Sequence, residues 1–191
     1  MQIAILLYER LAALDAVGPY EVLSRLPDAD TVTVGEHTGP VRADTRGLAL
    51  HVDHTLDQIP HPDVLVIPGG PGKALHLTDG PVHQWLRTAD TTTTWTTSVC
   101  TGSLILAAAG LLTGRHATTH WSSIDQLADY GAIPTHQRVV TDGKYLTGAG
   151  VSAGIDMALT LAAHLTDQAT AQHIQRQIEY DPQPPFPMQP A

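Results

Sequence analysis

Short apolar runs alternate along this chain with longer stretches whose apolar residues recur at helical spacing. Residues 3–8 read as an apolar strand. Residues 11–26 place Leu11, Leu14, Val22, Leu23 and Leu26 at helical spacing, and Pro27-Asp28 ends that helix. Residues 31–36 alternate as a strand, and residues 39–53 read as one or two more, since Leu48, Leu50 and Val52 keep a period of two. Residues 63–68 are a continuous apolar run stopped by Pro68-Gly69-Gly70, the pattern of a buried central strand. Residues 82–90 predict a helix and residues 93–99 a β-branched strand. Residues 102–112 predict an alanine- and leucine-rich helix, apolar nearly all round and therefore buried. A short helix follows over 122–130. Residues 138–141 and 145–147 flank Asp142-Gly143, a strong hairpin signal. Two helices, 153–165 and 167–180, close the pattern.

Strands alternating with helices predict a single-domain α/β fold, a doubly wound, mostly parallel sheet of the flavodoxin-like kind covered on both faces. No linker or repeat divides residues 1–180. Residues 181–191 contain five prolines and no periodicity, so they read as an extended arm that Phe186 and Met188 pin to the body or to a second subunit.

Composition narrows the function. The formal charge is −9, and the ten Lys and Arg residues are scattered, the opposite of a nucleic-acid-binding surface. No uninterrupted apolar stretch reaches the roughly 18 residues of a membrane span, and the apolar start is too short for a signal peptide. One cysteine cannot close an internal disulfide, which makes the cytoplasm the expected compartment. The eleven histidines fall into no zinc spacing, so no metal is expected.

In a doubly wound sheet, sites form at the carboxyl ends of the strands. Three features land there: Asp15 after the first strand, Gly69-Gly70 after a central one, and Cys100 directly after another. A lone cysteine is most often a small buried hydrophobe. Here it stands in Thr97-Ser-Val-Cys-Thr-Gly-Ser103, with small residues on either side where a strand meets a helix, as a nucleophile elbow requires. A sulfur at a helix N-terminus is expected to be held as thiolate. Backbone N–H groups of Gly70 and Thr101 are candidate donors to negative charge on a substrate. Asp15 is either a helix N-cap or a desolvated acid whose raised pKa lets it donate a proton beside the thiolate.

At these residues the chain resembles the ThiJ/PfpI superfamily, relatives of the class I glutamine amidotransferase domains, and within it the isocyanide hydratases. The resemblance spans residue 1 to about 187. It rests on Leu14-Asp15 with Gly18-Pro19, Ile67-Pro-Gly-Gly70, the Cys100 elbow, Ala117-Thr-Thr-His-Trp121 and the run Ala153-Gly-Ile-Asp-Met157. It implies a cofactor-independent, homodimeric enzyme in which the Cys100 thiolate attacks an isocyanide carbon, with Asp15 as general acid and base and Thr101 beside the sulfur. Gly69, Gly70, His120 and Trp121 would line the substrate pocket. Relative to the hydratases the chain also looks short of a C-terminal extension. Protease-like relatives carry histidine where this chain has Thr101, and glyoxalase-like relatives carry glutamate where it has Asp15. A glyoxalase-type reaction on 2-oxoaldehydes and a non-catalytic sensor or redox-stress role remain as alternatives.

Overall fold

The structure is a computed structural model, and it describes residues 1–186. The elements in chain order are β1 (Gln2–Leu6), α1 (Ala13–Leu23), β2 (Asp30–Gly35), β3 (Gly39–Arg42), β4 (Ala49–Val52) and β5 (His54–Thr55). Then come β6 (Val64–Ile67), α2 (Pro81–Asp90), β7 (Trp95–Val99), α3 (Gly102–Ala108), β8 (His116–Ala117) and α4 (Gln126–Asp129). The last are β9 (Ile133–Pro134), β10 (Val139–Asp142), β11 (Tyr145–Gly148), α5 (Ala153–Leu165) and α6 (Gln168–Gln177).

Seven strands form the central sheet in the order β10-β11-β7-β6-β1-β2-β5, all parallel except the β10–β11 hairpin. The continuous apolar run of β6 is buried at every position, as a strand covered on both faces requires. From β1 the chain passes first to β2 on one side and later to β6 on the other. This reversal opens a crevice at the carboxyl ends of β1 and β6, where ligands bind in doubly wound sheets. One helical layer is α1 on α5 on α6; α3 contacts both α2 and α4 in the other.

The expected α/β class and the parallel sheet are what the structure has; several boundaries differ. The helix expected over 102–112 stops at Ala108, because Gly110 takes the left-handed φ of 85° that ends it. Residues 39–53 do form two strands, but they pair only with each other. β5, β8 and β9 are two residues each, too short to leave a periodic signal. In the arm, Phe186 is exposed, so it does not pin these residues to the body; Met188 lies outside the described residues. Among the described residues no helix is long and apolar enough to cross a membrane.

Candidate active site

β7 brings Cys100 to the carboxyl edge of the sheet, and the residue turns there with φ 56°, the left-handed region that a side chain enters at a cost of about 1–3 kcal/mol. Hydrogen bonds hold it in place. Cys100 N–H is shared between the carbonyls of Gly148 and Ala149, both at 3.0 Å, and its own carbonyl accepts from Thr119 Oγ1 at 2.7 Å. The small neighbours follow from crowding. A Cβ on Gly102 would lie 2.0 Å from the Ile67 carbonyl oxygen, and one on Gly69 would lie 2.4 Å from Thr101 N. The glycine loop after β6 therefore rests directly on the elbow. Replacing Gly102 with Ala is expected to cost more than ~4 kcal/mol, read as a large fall in melting temperature or loss of soluble protein. A wild-type melt would refute this close approach.

Asp15 sits in the first turn of α1 and is fully buried. It is not the N-cap, which is Ala12, so the capping reading of this residue is corrected. Its Oδ2 accepts from Gly69 N–H at 2.9 Å, while Oδ1 has no partner in regular hydrogen-bond geometry among the described residues. The carboxyl meets the Cys100 thiol, which acts on it as a hydrogen-bond donor. Burial pushes the Asp15 carboxyl up to about 7, against the opposing pull of the Gly69 N–H and the thiol.

The expected resting thiolate is a point of correction. Burial, and next the Asp15 charge, push the Cys100 thiol up to about 11. Donors from Val151 N–H, Thr101 N–H and the Thr101 hydroxyl pull the other way without prevailing. Cys100 is just 5% exposed, so the cost of burying a sulfur anion outweighs what the N-terminus of α3 offers. Burial is the first cause of both raised values; the Asp15 charge adds to it for the thiol, and the Asp44 charge adds to it, more weakly, for Asp15. The second correction concerns Gly70. Its N–H is donated to Thr101 Oγ1 at 3.0 Å and is not free for a substrate. The Thr101 hydroxyl in turn has the Gly70 carbonyl 3.5 Å away as an acceptor, so residues 70 and 101 are tied to each other.

Comparison with known proteins decides the family. The model of the DJ-1/PfpI family matches residues 1–164. The chain belongs to the DJ-1/PfpI family. It is 46% identical to an isonitrile hydratase of Pseudomonas putida over 97% of its length and 81% of that protein. It is 35% identical to the HTH-type transcriptional regulator CdhR of Pseudomonas aeruginosa, over 73% of this chain and 42% of the regulator. A crystal structure of a ThiJ/PfpI family protein from Pseudomonas syringae superposes with a TM-score of 0.94 at 43% identity, covering 97% of this chain and 77% of that one.

In this DJ-1/PfpI domain the crevice brings together Cys100, Asp15, Thr101, Gly69 and Gly70, as expected. His120 and Trp121 are not joined to them by any hydrogen bond. The half-buried His120 ring packs where a Gly150 Cβ would be, 2.7 Å from its Cδ2, and its Nδ1 faces Ser122 Oγ at 2.8 Å. Burial and then the Lys73 charge push its pKa down, which keeps the ring neutral. Trp121 stands beside it, 64% exposed and turned outward, so it lines no buried pocket in this chain.

Two residues at the site carried no sequence signal. Tyr8 donates to the Pro68 carbonyl at 2.8 Å, and burial, then Asp15 and Cys100, raise its phenol well above the usual range. Val151, whose N–H reaches the sulfur, takes φ 32° in the turn before α5. Only the glycines at 148 and 150 mark that connection as tight. Cavities of about 370 and 470 Å³ open elsewhere, both bordered by Glu36 and His37, and neither touches Cys100 or Asp15. No three His, Cys, Asp or Glu side chains among the described residues group as a metal site.

Proposed function

We propose that this chain hydrates an isocyanide to an N-substituted formamide, with Cys100 as nucleophile and Asp15 as the proton carrier. The observation that carries the reading is the buried Asp15 carboxyl, raised to about 7, held by Gly69 on one oxygen and facing the Cys100 thiol. Its likeness to the isonitrile hydratase of Pseudomonas putida supports the same substrate class.

An isocyanide carbon needs both a nucleophile and a proton, and a thiol beside a carboxylate supplies both. Asp15 takes the Cys100 proton as sulfur bonds to carbon, then delivers it to the same carbon, giving the thioimidate R–N=CH–S–Cys100. The crevice then holds the same single charge as before, the Asp15 carboxylate. Water then adds across C=N: oxygen bonds to carbon while Asp15 passes the water proton to nitrogen. Collapse of the R–NH–CH(OH)–S adduct expels sulfur as the hydroxyl proton leaves through Asp15, which returns it to the thiol. The N–H groups of Thr101 and Val151 steady the sulfur while it carries charge. The raised thiol pKa fits this order, because a thiol that keeps its proton until the substrate arrives does not waste it.

The test is incubation with an alkyl or aryl isocyanide, following formamide by mass spectrometry, beside methylglyoxal under identical conditions. Formamide formation with no lactate supports the proposal. Lactate without formamide replaces it with the glyoxalase-type reaction.

A further inference from the structure

After β11 the chain must leave the sheet and start α5 within the four residues 149–152. Val151 in this turn holds a left-handed φ of 32°, which a β-branched residue adopts only under constraint from its surroundings. The turn holds the elbow directly, since its Ala149 carbonyl accepts from Cys100 N–H at 3.0 Å. Relaxation of the turn would swing that carbonyl away.

The constraint is visible on both sides of the turn. Before it, the Arg138 carbonyl accepts from Ala149 N–H at 2.8 Å. Beyond it, the Arg138 guanidinium donates through Nε to Asp156 Oδ2 at 2.8 Å and through Nη2 to Ser152 Oγ at 3.3 Å, and its Nη2 forms an ion pair with the same Asp156 oxygen at 2.6 Å. Tyr180, past the end of α6, donates its hydroxyl to Asp156 Oδ2 at 2.9 Å. One residue thus grips the turn by its main chain in front and by its side chain behind, with Tyr180 locking the carboxylate. The guanidinium is half exposed, and such surface pairs contribute little to global stability.

We propose that Arg138, with Asp156 and Tyr180, is a positioning element for the reactive thiol, holding the 149–152 turn in the form that keeps the Ala149 carbonyl on Cys100 N–H and the Val151 N–H beside the sulfur. The inference rests on Cys100 being the reactive thiol and not on the identity of its substrate. The titratable groups facing the sulfur, Asp15 from α1 and Tyr8 beyond β1, are not part of the clamp.

The measurement is the rate of Cys100 alkylation by iodoacetamide between pH 6 and 10, read by intact mass on the whole chain, which needs no isocyanide. Arg138→Met is expected to slow alkylation about tenfold at each pH below the midpoint and to move the midpoint upward, with the melting temperature nearly unchanged. Arg138→Lys should recover part of the rate. A profile for Arg138→Met that superimposes on the wild type overturns the proposal. If Arg138→Met does not fold, Tyr180→Phe, which removes one oxygen, carries the same test, and an unshifted profile there overturns it equally. Shifted alkylation in a protein that ignores isocyanides would sink the hydratase reading alone.

Discussion

Replacing Cys100 with Ala is expected to remove turnover of any isocyanide by at least a thousandfold, the scale seen when a covalent nucleophile is deleted. The fold should survive. Cys100 is the only cysteine, closes no disulfide, and the hydrogen bonds that fix its backbone run through its own N–H and carbonyl, which alanine keeps. Alanine also fits the left-handed φ of 56° no worse than cysteine does. The check is a pair of measurements on one preparation, formamide release and thermal melting. An alanine protein that melts normally and still turns over would eliminate the thioimidate, and with it every role assigned to the donors around the sulfur.

Asp15→Asn is expected to lower turnover by about a hundredfold to ten-thousandfold, the usual contribution of a positioned acid–base group, and at the same time to raise stability. Asparagine keeps the acceptor for Gly69 N–H but cannot carry the thiol proton to carbon. The stability change has a definite pH window. The carboxyl is raised from 3.8 to about 7 in the folded chain, so the folded state binds its proton more tightly than the unfolded state does. This contribution to stability is complete below about pH 4 and is lost as the pH rises through about 7. Wild type should therefore weaken relative to Asp15→Asn across that interval, by up to ~4 kcal/mol for a shift of about three units, and the difference should level off above it. Melting temperatures of both proteins between pH 4 and 8 decide the matter. A constant difference would mean that the buried carboxyl does not titrate there.

The two effects share a cause. A carboxyl group that is comfortable when ionised would be a poor proton donor near neutral pH, and one that is well solvated could not be excluded from bulk water while it handles a reactive carbon. Burying Asp15 costs stability at the working pH and in return sets its pKa near 7, where giving and taking a proton are equally easy.

Much of this was legible in the chain. The alternation of strand-like and helix-like periods determined the α/β class, because a parallel sheet covered on both faces is the packing that buries such a set of stripes. The uninterrupted run before Pro68 marked a central strand, and the small residues around Cys100 marked an elbow, since steric crowding at a sharp turn is a local property that composition records. Asp15 and Cys100 were paired by their common place after parallel strands, and that inference needs only topology.

What the chain could not reveal depends on contacts between distant segments. Whether the sulfur rests as thiolate or thiol is a balance of burial, one carboxylate and three donors from two residues, Thr101 and Val151, and it is burial that prevails. The Gly70 N–H looked free because nothing in the local sequence shows the Thr101 hydroxyl lying 3.0 Å away. Tyr8, Val151 and the Arg138 clamp belong to segments that meet only when the sheet closes, and no periodicity records a hydrogen bond across 24 or 60 residues. Local sterics and hydrophobic pattern are written along the chain; electrostatics are settled by what surrounds each charge, and that is decided only once the chain has folded.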